Sequence, residues 1–362
     1  MIRQLMKRGF ASRVYSWGLN YNNLGYSAEV PMPITVPAPV ALESPVDIKK
    51  IICGYSESVF LTNEGKIHCW GHFEMFDKFI TTPTLLNSTQ NLNFTDIDIS
   101  KTHFLGLTTE GEIYQITGKQ SEKIELPGKA RLLAAGNQAS FAVVTGENGS
   151  DRIYAWSSQG PENGAIFCAQ HDLPRPVSEL IQANYWLDQL QTNVKKIKVV
   201  ESAVVVLLEN GELLTWGDNA SGNLGVYRSE LALLENEVFQ PTRINLANGI
   251  KEKVVDFDLS DNILIALTES NQAYFCGLEN IFTIRSIPFF PDQKIVKVGA
   301  EHNKYYLFSS NGKVFSNRSF DNEEFIKYYG EFDLYEVDRK YFGGAEVEFI
   351  SGKYDNAVAV CK

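Results

Sequence analysis

Short apolar or alternating runs recur along the whole chain, and polar turns that contain glycine separate them. Examples of the runs are SVFLT, FLGLTT, VVVLLE and ILIALT, and the turns include Asn-Glu-Gly at 63–65 and Glu-Asn-Gly at 209–211. A tight hairpin turn favours glycine because it needs a positive φ. The pattern therefore predicts a series of β-hairpins along the chain.

The second strand of each predicted hairpin carries a degenerate Trp-Gly phrase. The seven copies are VYSWG (14–18), KIHCWG (66–71), EIYQITG (112–118), RIYAWSS (152–158), ELLTWG (212–217), QAYFCG (272–277) and KVFSNR (313–318). Seven further short strands precede the hairpins, from IKKIICG (48–54) to VEFISG (347–352). Successive copies of the phrase lie 40 to 60 residues apart. A repeat of this length with several short strands is typical of a β-propeller blade.

The two best copies, VYSWGLNYNNLGY (14–26) and LLTWGDNASGNLGVY (213–227), resemble the repeat of the regulator of chromosome condensation family. That repeat reads valine, aromatic, any residue, Trp-Gly, a polar loop, a Gly-x-Leu-Gly and then a proline. Pro33 and Pro241 follow the two copies, as the family pattern requires. The resemblance covers roughly 14–362, with two strong and five eroded copies. It implies an all-β fold, a seven-bladed β-propeller that forms a single domain over 13–362.

The order of the strands predicts how the ring closes. The chain begins with a Trp-Gly strand and ends with VEFISGKYDNAVAV. We expect VYSWG to pair with VEFISG and NAVAV, so that the two chain ends build one blade and bury Val358 and Val360. Closure leaves only the outer strand of each blade as a free edge. Large rings contribute most by burial, and those expected to pack between blades are Trp17, Trp70, Trp156 and Trp216.

The first twelve residues, MIRQLMKRGFAS, are basic, and no acidic residue occurs before Glu29. On a helix this segment is amphipathic, and such a segment indicates a mitochondrial targeting presequence over 1–12. One processing pattern of matrix proteins has Arg, any residue and an aromatic residue before a small residue. It is matched here by Arg8, Gly9, Phe10 and Ala11. Ala11 is then the expected mature end, and the matrix the expected location. The alternative is a basic N-terminus that carries no targeting signal.

Composition narrows the function classes. The 362-residue chain has a net charge of −11 and a pI near 5.1, which disfavours direct binding of nucleic acid. Its five cysteines are widely spaced without a CxxC pair, which favours buried thiols in a reducing compartment over a disulfide framework. The longest apolar run is AVVVLL (203–208), so no transmembrane segment is expected.

No motif of catalysis or metal binding emerges. In HCWGH (68–72), His68 and Cys69 point to opposite faces of a strand, so the two side chains cannot easily reach one metal ion. The segment FCAQH (167–171) offers only two of the four ligands of a zinc site. His103 and His302 lie where repeats of the family often carry a structural histidine. Glycine-rich phosphate loops, GxSxG and HExxH are absent from the sequence. We therefore expect no catalytic residue, no cofactor and no metal site.

Three insertions between repeats are candidate partner surfaces, because binding often evolves on loops of a rigid scaffold. Segment 177–191 is rich in apolar residues and is predicted to form a short helix. Its candidate contact residues are Leu180, Ile181, Tyr185, Trp186 and Leu190. Segment 228–240 is also predicted to be helical, and segment 318–346 is rich in Tyr, Phe and Glu. The alternative is that these segments merely pack on the propeller rim.

The resemblance implies a protein that acts through protein partners. The founding member of the family resembles an exchange factor for the Ran GTPase on chromatin, a role that does not suit this acidic chain. Our first hypothesis is a non-enzymatic mitochondrial scaffold that assists assembly of a respiratory complex or the mitoribosome. A second is a guanine-nucleotide exchange factor for a mitochondrial GTPase, with no identifiable residue that would displace the nucleotide. A third is a cytosolic propeller that partners a tRNA- or diphthamide-modification protein.

Overall fold

The computed structural model describes residues 11–18, 25, 34–73, 78–117, 120–157, 181–182, 192–226, 237–244, 252–277, 281–287, 293–318, 334–353 and 356–362. Within them, 28 strands form seven four-stranded antiparallel sheets, accompanied by the short 3₁₀ helices Asn87–Thr89 and Arg339–Phe342. The fold is all-β, and the seven-bladed β-propeller expected from the repeats is confirmed.

Each sheet is one blade, numbered here in the order of the ring. Blade 1 contains β1 (Arg13–Gly18), β2 (Ile34–Pro39), β27 (Val347–Lys353) and β28 (Asn356–Cys361). Blade 2 contains β3 (Ile48–Cys53), β4 (Glu57–Thr62), β5 (Ile67–Phe73) and β6 (Lys78–Leu85). Blade 3 contains β7 (Phe94–Ile99), β8 (Phe104–Thr108), β9 (Ile113–Thr117) and β10 (Gln120–Ile124). Blade 4 contains β11 (Ala130–Ala135), β12 (Ala139–Thr145), β13 (Asp151–Ser157) and β14 (Ile181–Gln182).

The remaining three blades follow the same order along the chain. Blade 5 contains β15 (Val194–Val200), β16 (Ala203–Leu208), β17 (Leu213–Asp218) and β18 (Glu237–Arg243). Blade 6 contains β19 (Val254–Leu259), β20 (Ile263–Thr268), β21 (Ala273–Gly277) and β22 (Ile281–Ser286). Blade 7 contains β23 (Ile295–Glu301), β24 (Lys304–Ser309), β25 (Val314–Ser316) and β26 (Tyr335–Glu336).

The strand at one edge of each sheet contacts its counterpart in the next blade, so these seven strands surround the axis of the ring. These inner strands are β27, β3, β7, β11, β15, β19 and β23. Because β23 of blade 7 contacts β27 of blade 1, the ring is closed. The turns between second and third strands lie beside the starts of the inner strands, as the hydrogen bond from Asn63 N to Asp47 O shows. We call this side of the ring the hairpin face.

The Trp-Gly phrase builds the contacts between blades. All four tryptophans of the phrase are at most 2% exposed, so the expectation that they pack between blades is confirmed. Trp216 of blade 5, for example, meets Phe141 of blade 4 edge to face at 6.1 Å between ring centroids. The following Gly217 has a φ of +100°, and a Cβ there would lie only 1.9 Å from Ser202 O. Glycine is therefore needed both for the backbone conformation and for the close approach of two strands.

The two chain ends complete blade 1. β1 pairs antiparallel with β28, with Val14 opposite Val360 and Ser16 opposite Val358, and both C-terminal valines are fully buried. The expected closure and burial are confirmed. The expected pairing of VYSWG with VEFISG is wrong, because β28 lies between β1 and β27 and uses both of its edges. No edge of the central strands in this blade is left open.

The fourth strand of each blade was not expected from the sequence. Ile181–Gln182 pairs with Tyr154 and Ala155, and Glu237–Arg243 pairs along β17. The helices expected over 177–191 and 228–240 are therefore wrong at 181–182 and 237–240. The reason is topological, since the open edge of each third strand is satisfied by another strand, whatever the local propensity. Pro83 and Pro241 lie in outer strands, where a missing N–H is tolerated.

Candidate functional site: the central channel

All seven inner strands carry the same irregularity near their starts. Their pairing with the second strand shifts between the first and third residue, for example between Ile48 and Lys50 in β3 and between Ile295 and Lys297 in β23. Such a β-bulge inserts one extra residue and re-aims its side chain. The second and third residues are consequently both accessible, whereas the first and fourth are buried. Each blade thus turns two consecutive side chains toward the channel.

The bulges create stacked rings of side chains along the axis. The second residues form the mouth ring on the hairpin face: Lys49, Thr95, Arg131, Lys195, Val255, Val296 and Glu348. The third residues form the upper ring: Lys50, Asp96, Leu132, Lys196, Asp256, Lys297 and Phe349. The fifth residues form the lower ring: Ile52, Asp98, Ala134, Lys198, Asp258, Gly299 and Ser351. These positions were not singled out from the sequence, although adjacent polar residues in IKKIIC and VKKIKVV are the signal that could have found them.

Lysines of the upper ring reach the next blade. Lys50 Nζ lies 2.7 Å from Asp96 Oδ1 and donates to Ile97 O at 2.7 Å. Lys196 repeats the arrangement three blades later, 2.8 Å from Asp256 Oδ1, and it also donates to Phe257 O. Each ammonium has an ionic partner and a carbonyl partner, which offsets its partial desolvation. These two contacts fasten blade 2 to blade 3 and blade 5 to blade 6.

Carboxylates of the lower ring also join neighbouring blades. Asp98 accepts from Ala135 N at 2.9 Å, and Asp258 accepts from Ala300 N at 2.8 Å and pairs with Lys198. Their surroundings move the two pKa values in opposite directions. Burial raises the pKa of Asp98, whereas Lys198 and Lys196 outweigh burial and lower the pKa of Asp258.

Lys297 breaks the pattern of the upper ring. Its ammonium reaches the next blade as Lys50 and Lys196 do, but it meets Phe349 where those two lysines meet Asp96 and Asp256. Lys297 Nζ lies 3.7 Å from the centroid of Phe349 and 5.5 Å from that of Phe308. Among the described residues no carboxylate comes within 4 Å of it. Burial lowers the pKa of Lys297 to about 8.

The charge of the channel differs from that of the chain. The seven inner strands contain eight basic and six acidic side chains, a net charge of +2, whereas the whole chain carries −11. Exposed glutamates occupy five consecutive hairpin turns around the mouth ring: Glu64, Glu110, Glu147, Glu209 and Glu269. The hairpin face therefore has an acidic periphery and a basic centre.

The opposite mouth is crossed by an ion pair. Lys353 Nζ, at the end of β27, lies 2.9 Å from Glu201 Oε1 in the turn after β15. Asn137 of blade 4 donates its side-chain amide to Glu201 and its backbone N–H to Glu201 O at 3.1 Å. Blades 1, 4 and 5 are thereby tied together at this end, and the channel has two unequal mouths.

The histidines and cysteines have structural environments. His103 is buried, with Nδ1 2.7 Å from Ser100 Oγ and Nε2 2.7 Å from Ser140 Oγ of the next blade. Burial lowers its pKa to about 4, so the ring is neutral and joins blades 3 and 4 by hydrogen bonds. His302 pairs with Asp261 of the preceding blade. These two histidines match the structural role expected for them.

His68 and Cys69 of HCWGH lie on opposite faces of β5, as strand geometry requires. His68 stacks on Phe60 at 4.7 Å between centroids, and Cys69 is buried with its pKa raised to about 12 by burial. Within the part of the chain that the structure describes, no group of three potential ligands could hold a metal ion. In that same part, no helix is long and apolar enough to cross a membrane.

The structure tests few of the sequence-predicted site residues. Arg8, Gly9 and Phe10 lie outside the described residues, whereas Ala11 is exposed. The next residue, Ser12, is buried, donates its N–H to Val46 O at 3.0 Å, and accepts from Ile48 N at 3.1 Å through Oγ. Of the expected partner contacts, only the backbone of Ile181 is described, and the others fall outside: Leu180, Tyr185, Trp186 and Leu190.

Comparisons with known proteins agree with this architecture. No protein-family profile matches the chain. The ultraviolet-B receptor UVR8 of Arabidopsis thaliana is 21% identical over 285 residues, covering 73% of this chain and 60% of the receptor. Protein pim1 of Schizosaccharomyces pombe is 24% identical over 352 residues, covering 86% of this chain and 56% of pim1. The chain therefore spans less than two thirds of the length of these curated relatives.

Solved structures resemble the chain over nearly its whole length. Human WBSCR16 superposes with a TM-score of 0.74 at 14% identity, covering 97% of this chain and 99% of that one. Prp20p of Saccharomyces cerevisiae, whose structure was described with its binding to Gsp1p and histones, gives a TM-score of 0.75 at 15% identity, covering 97% and 92%. Together with the seven four-stranded blades, these similarities show that the chain has a propeller fold like that of the regulator of chromosome condensation.

Proposed function

We propose that this propeller is a protein-interaction scaffold of the mitochondrial matrix that assists assembly of a respiratory complex or of the mitoribosome. The observation that carries the proposal is the ring itself. Hydrogen bonds and ion pairs join neighbouring blades, which gives a rigid body with a charged hairpin face. The ion pair that crosses the opposite mouth of the channel has no equivalent among the described residues of this face. A rigid ring with such a surface suits the binding of proteins better than the conversion of a small substrate.

The start of the fold supports the presequence. Ser12 is the first described residue with hydrogen bonds to the chain at blade 2, and Ala11 before it is exposed. Cleavage before Ala11 would keep these hydrogen bonds of Ser12. It would also remove the basic residues Arg3, Lys7 and Arg8 that make the segment suited to import.

Location is tested with the full chain fused to a fluorescent reporter. We expect mitochondrial fluorescence, and a mature N-terminus at Ala11 in mass spectra of the purified protein. A matched variant with Arg3→Glu, Lys7→Glu and Arg8→Glu should stay in the cytosol. Cytosolic fluorescence of the unchanged chain would refute the matrix location and favour the alternative, a partner of a tRNA- or diphthamide-modification protein.

Nucleotide exchange is the second candidate function. It is favoured by the similarity to Prp20p, whose structure was reported with its binding to Gsp1p. The test is release of a fluorescent GDP analogue from purified mitochondrial GTPases with and without the propeller. Acceleration of about a hundredfold or more, on the scale of a few kcal/mol of barrier, would establish exchange on that GTPase. Unchanged release across the set would leave scaffolding as the function.

A further inference from the structure

We propose that the channel mouth on the hairpin face binds an acidic segment of a partner protein, whose carboxylate pairs with Lys297. This inference rests on the proposed function, since it states which chemistry a protein-binding propeller of this kind accepts. It assigns the recognition to the channel and not to the insertions between blades.

Three lysines occupy equivalent positions in the ring. Lys50, Lys196 and Lys297 occupy the third position of their inner strands and extend toward the next blade. The first two meet an aspartate, at 2.7 Å and 2.8 Å. Lys297 meets the face of an aromatic ring instead, which stabilises a cation less than a carboxylate does. Of these three lysines, Lys297 alone has no carboxylate within 4 Å, and Asp258 and Asp256 act on it only from a longer distance. Its ammonium can therefore accept a close ionic partner from another protein.

The ammonium of Lys297 already loses hydration when the protein folds. Burial lowers the pKa of Lys297 to about 8, so the charged form of the side chain is destabilised at neutral pH. A carboxylate brought next to it would reverse that shift. Because the free protein has already lost the hydration of this group, binding gains the attraction at a reduced cost.

The mouth ring contains an exposed apolar pair on the blade of Lys297 and the blade before it. Val255 and Val296, on neighbouring blades 6 and 7, are 37% and 52% exposed. An apolar pair next to a cation suits a peptide that carries an apolar side chain beside an acidic one. A free small carboxylate would leave these valines uncovered, which favours a protein segment as the occupant.

Charge is unevenly distributed over the hairpin face. Lys49 and Lys195 lie in the mouth ring with carbonyl partners only, inside a periphery of exposed glutamates. The other two charges of the mouth ring are already paired, Arg131 with Asp151 and Glu348 with Lys362. Opposite potentials at centre and periphery direct an acidic segment to the axis and repel it elsewhere. The electrostatics thus specify where on the face the segment binds.

The experiment is selection of random heptapeptides displayed on phage by the immobilised full-length protein. Three variants are selected in parallel: Lys297→Met, Lys297→Arg and Lys123→Met. Lys123 is an exposed lysine of an outer strand, paired with Glu112, and serves as the control for loss of one positive charge. Thermal unfolding of each variant is recorded, so that a loss of binding is not confused with a loss of fold.

We expect peptides that combine Asp or Glu with an apolar residue on the unchanged protein, on Lys123→Met and on Lys297→Arg. Their recovery should fall about tenfold or more on folded Lys297→Met. The proposal is overturned by an absence of enrichment, by enriched peptides without acidic residues, or by equal recovery on Lys297→Met. If one of these results is obtained but proximity labelling still finds a specific set of mitochondrial proteins, the channel proposal fails and the scaffold function stands. If an acidic motif is selected but labelling finds no such set, the scaffold function fails and the channel proposal stands.

Discussion

Lys353 Nζ and Glu201 Oε1 lie 2.9 Å apart and connect blade 1 with blade 5, two blades that are not neighbours in the ring. The contact crosses one mouth of the channel, whereas the mouth ring on the hairpin face has no equivalent ion pair among the described residues. The two mouths of the channel therefore differ in structure. The ion pair across one mouth adds to the difference that the fold already makes by placing the hairpin turns on one side of the ring.

The cross-channel pair should couple energetically. A double-mutant cycle with Lys353→Met and Glu201→Gln is expected to give an interaction energy of about 1 kcal/mol in urea unfolding, because the Lys353 side chain is only 14% exposed. The matched cycle uses Lys313 and Glu336, whose side chains are 41% and 51% exposed. There we expect less than about 0.5 kcal/mol. Equal coupling in both cycles would show that the cross-channel contact does not tie the blades.

Lys297→Met should stabilise the protein at neutral pH. The folded-state pKa of about 8 lies below the ordinary value of 10.5, so the charged lysine opposes folding fully below pH 8. The wild-type protein regains that stability between pH 8 and 10.5, and the advantage of the variant should fade over the same window. Chemical unfolding at pH 7, 9 and 10.5 measures it. Lys196→Met is the control and should destabilise, because it leaves Asp256 without its ionic partner.

His103 should make stability fall in mild acid. Its pKa is lowered to about 4 by burial, against an ordinary value of 6.5. Between these values the unfolded chain binds a proton that the native ring does not, so stability decreases by about 1.4 kcal/mol per pH unit as the pH falls. His103→Asn should remove this contribution from the pH profile of urea unfolding. A variant with the same slope as the wild type from pH 6.5 to 4 would contradict the buried neutral imidazole.

Ring closure depends on the buried face of β28. Val358→Ala should cost about 2 kcal/mol of unfolding free energy, because Val358 is fully buried between blades 1 and 2. Val36→Ala in the outer strand of the same blade serves as the control, since Val36 is 42% exposed. It should change stability by less than about 0.5 kcal/mol. Deletion of 347–362 should abolish the cooperative transition, and an unchanged melting curve would disprove closure by the two chain ends.

The ring could be predicted from the sequence because its signals are local and repeated. Hairpin turns with Gly65 and Gly211 and the Trp-Gly strands follow from neighbouring residues in the chain. Once the repeats are recognised, the strand type at each chain end predicts how the ring closes. The outer strands could not be predicted in the same way. Ile181 lies in an apolar segment without a clear period, and only the open edge of β13 makes it a strand.

The channel was not predicted because its contacts join residues far apart in sequence. Lys50 and Asp96 are separated by 46 positions, and Lys353 and Glu201 belong to blades that do not touch along their sides. The bulge that turns Lys49 and Lys50 to the same side also defeats strict alternation, so a period-two reading assigns one of them to the wrong face. Polar pairs at the starts of inner strands are the pattern to seek in such propellers.

The central claim, a matrix scaffold for assembly, is tested most directly by proximity labelling in purified mitochondria. A biotin ligase is fused after Lys362, and the same ligase addressed to the matrix alone provides the background. We expect strong labelling of the subunits or assembly factors of one respiratory complex or of the mitoribosome, above that background. A labelling profile equal to that of the ligase alone, or absence of the fusion protein from the purified mitochondria, would contradict a matrix scaffold.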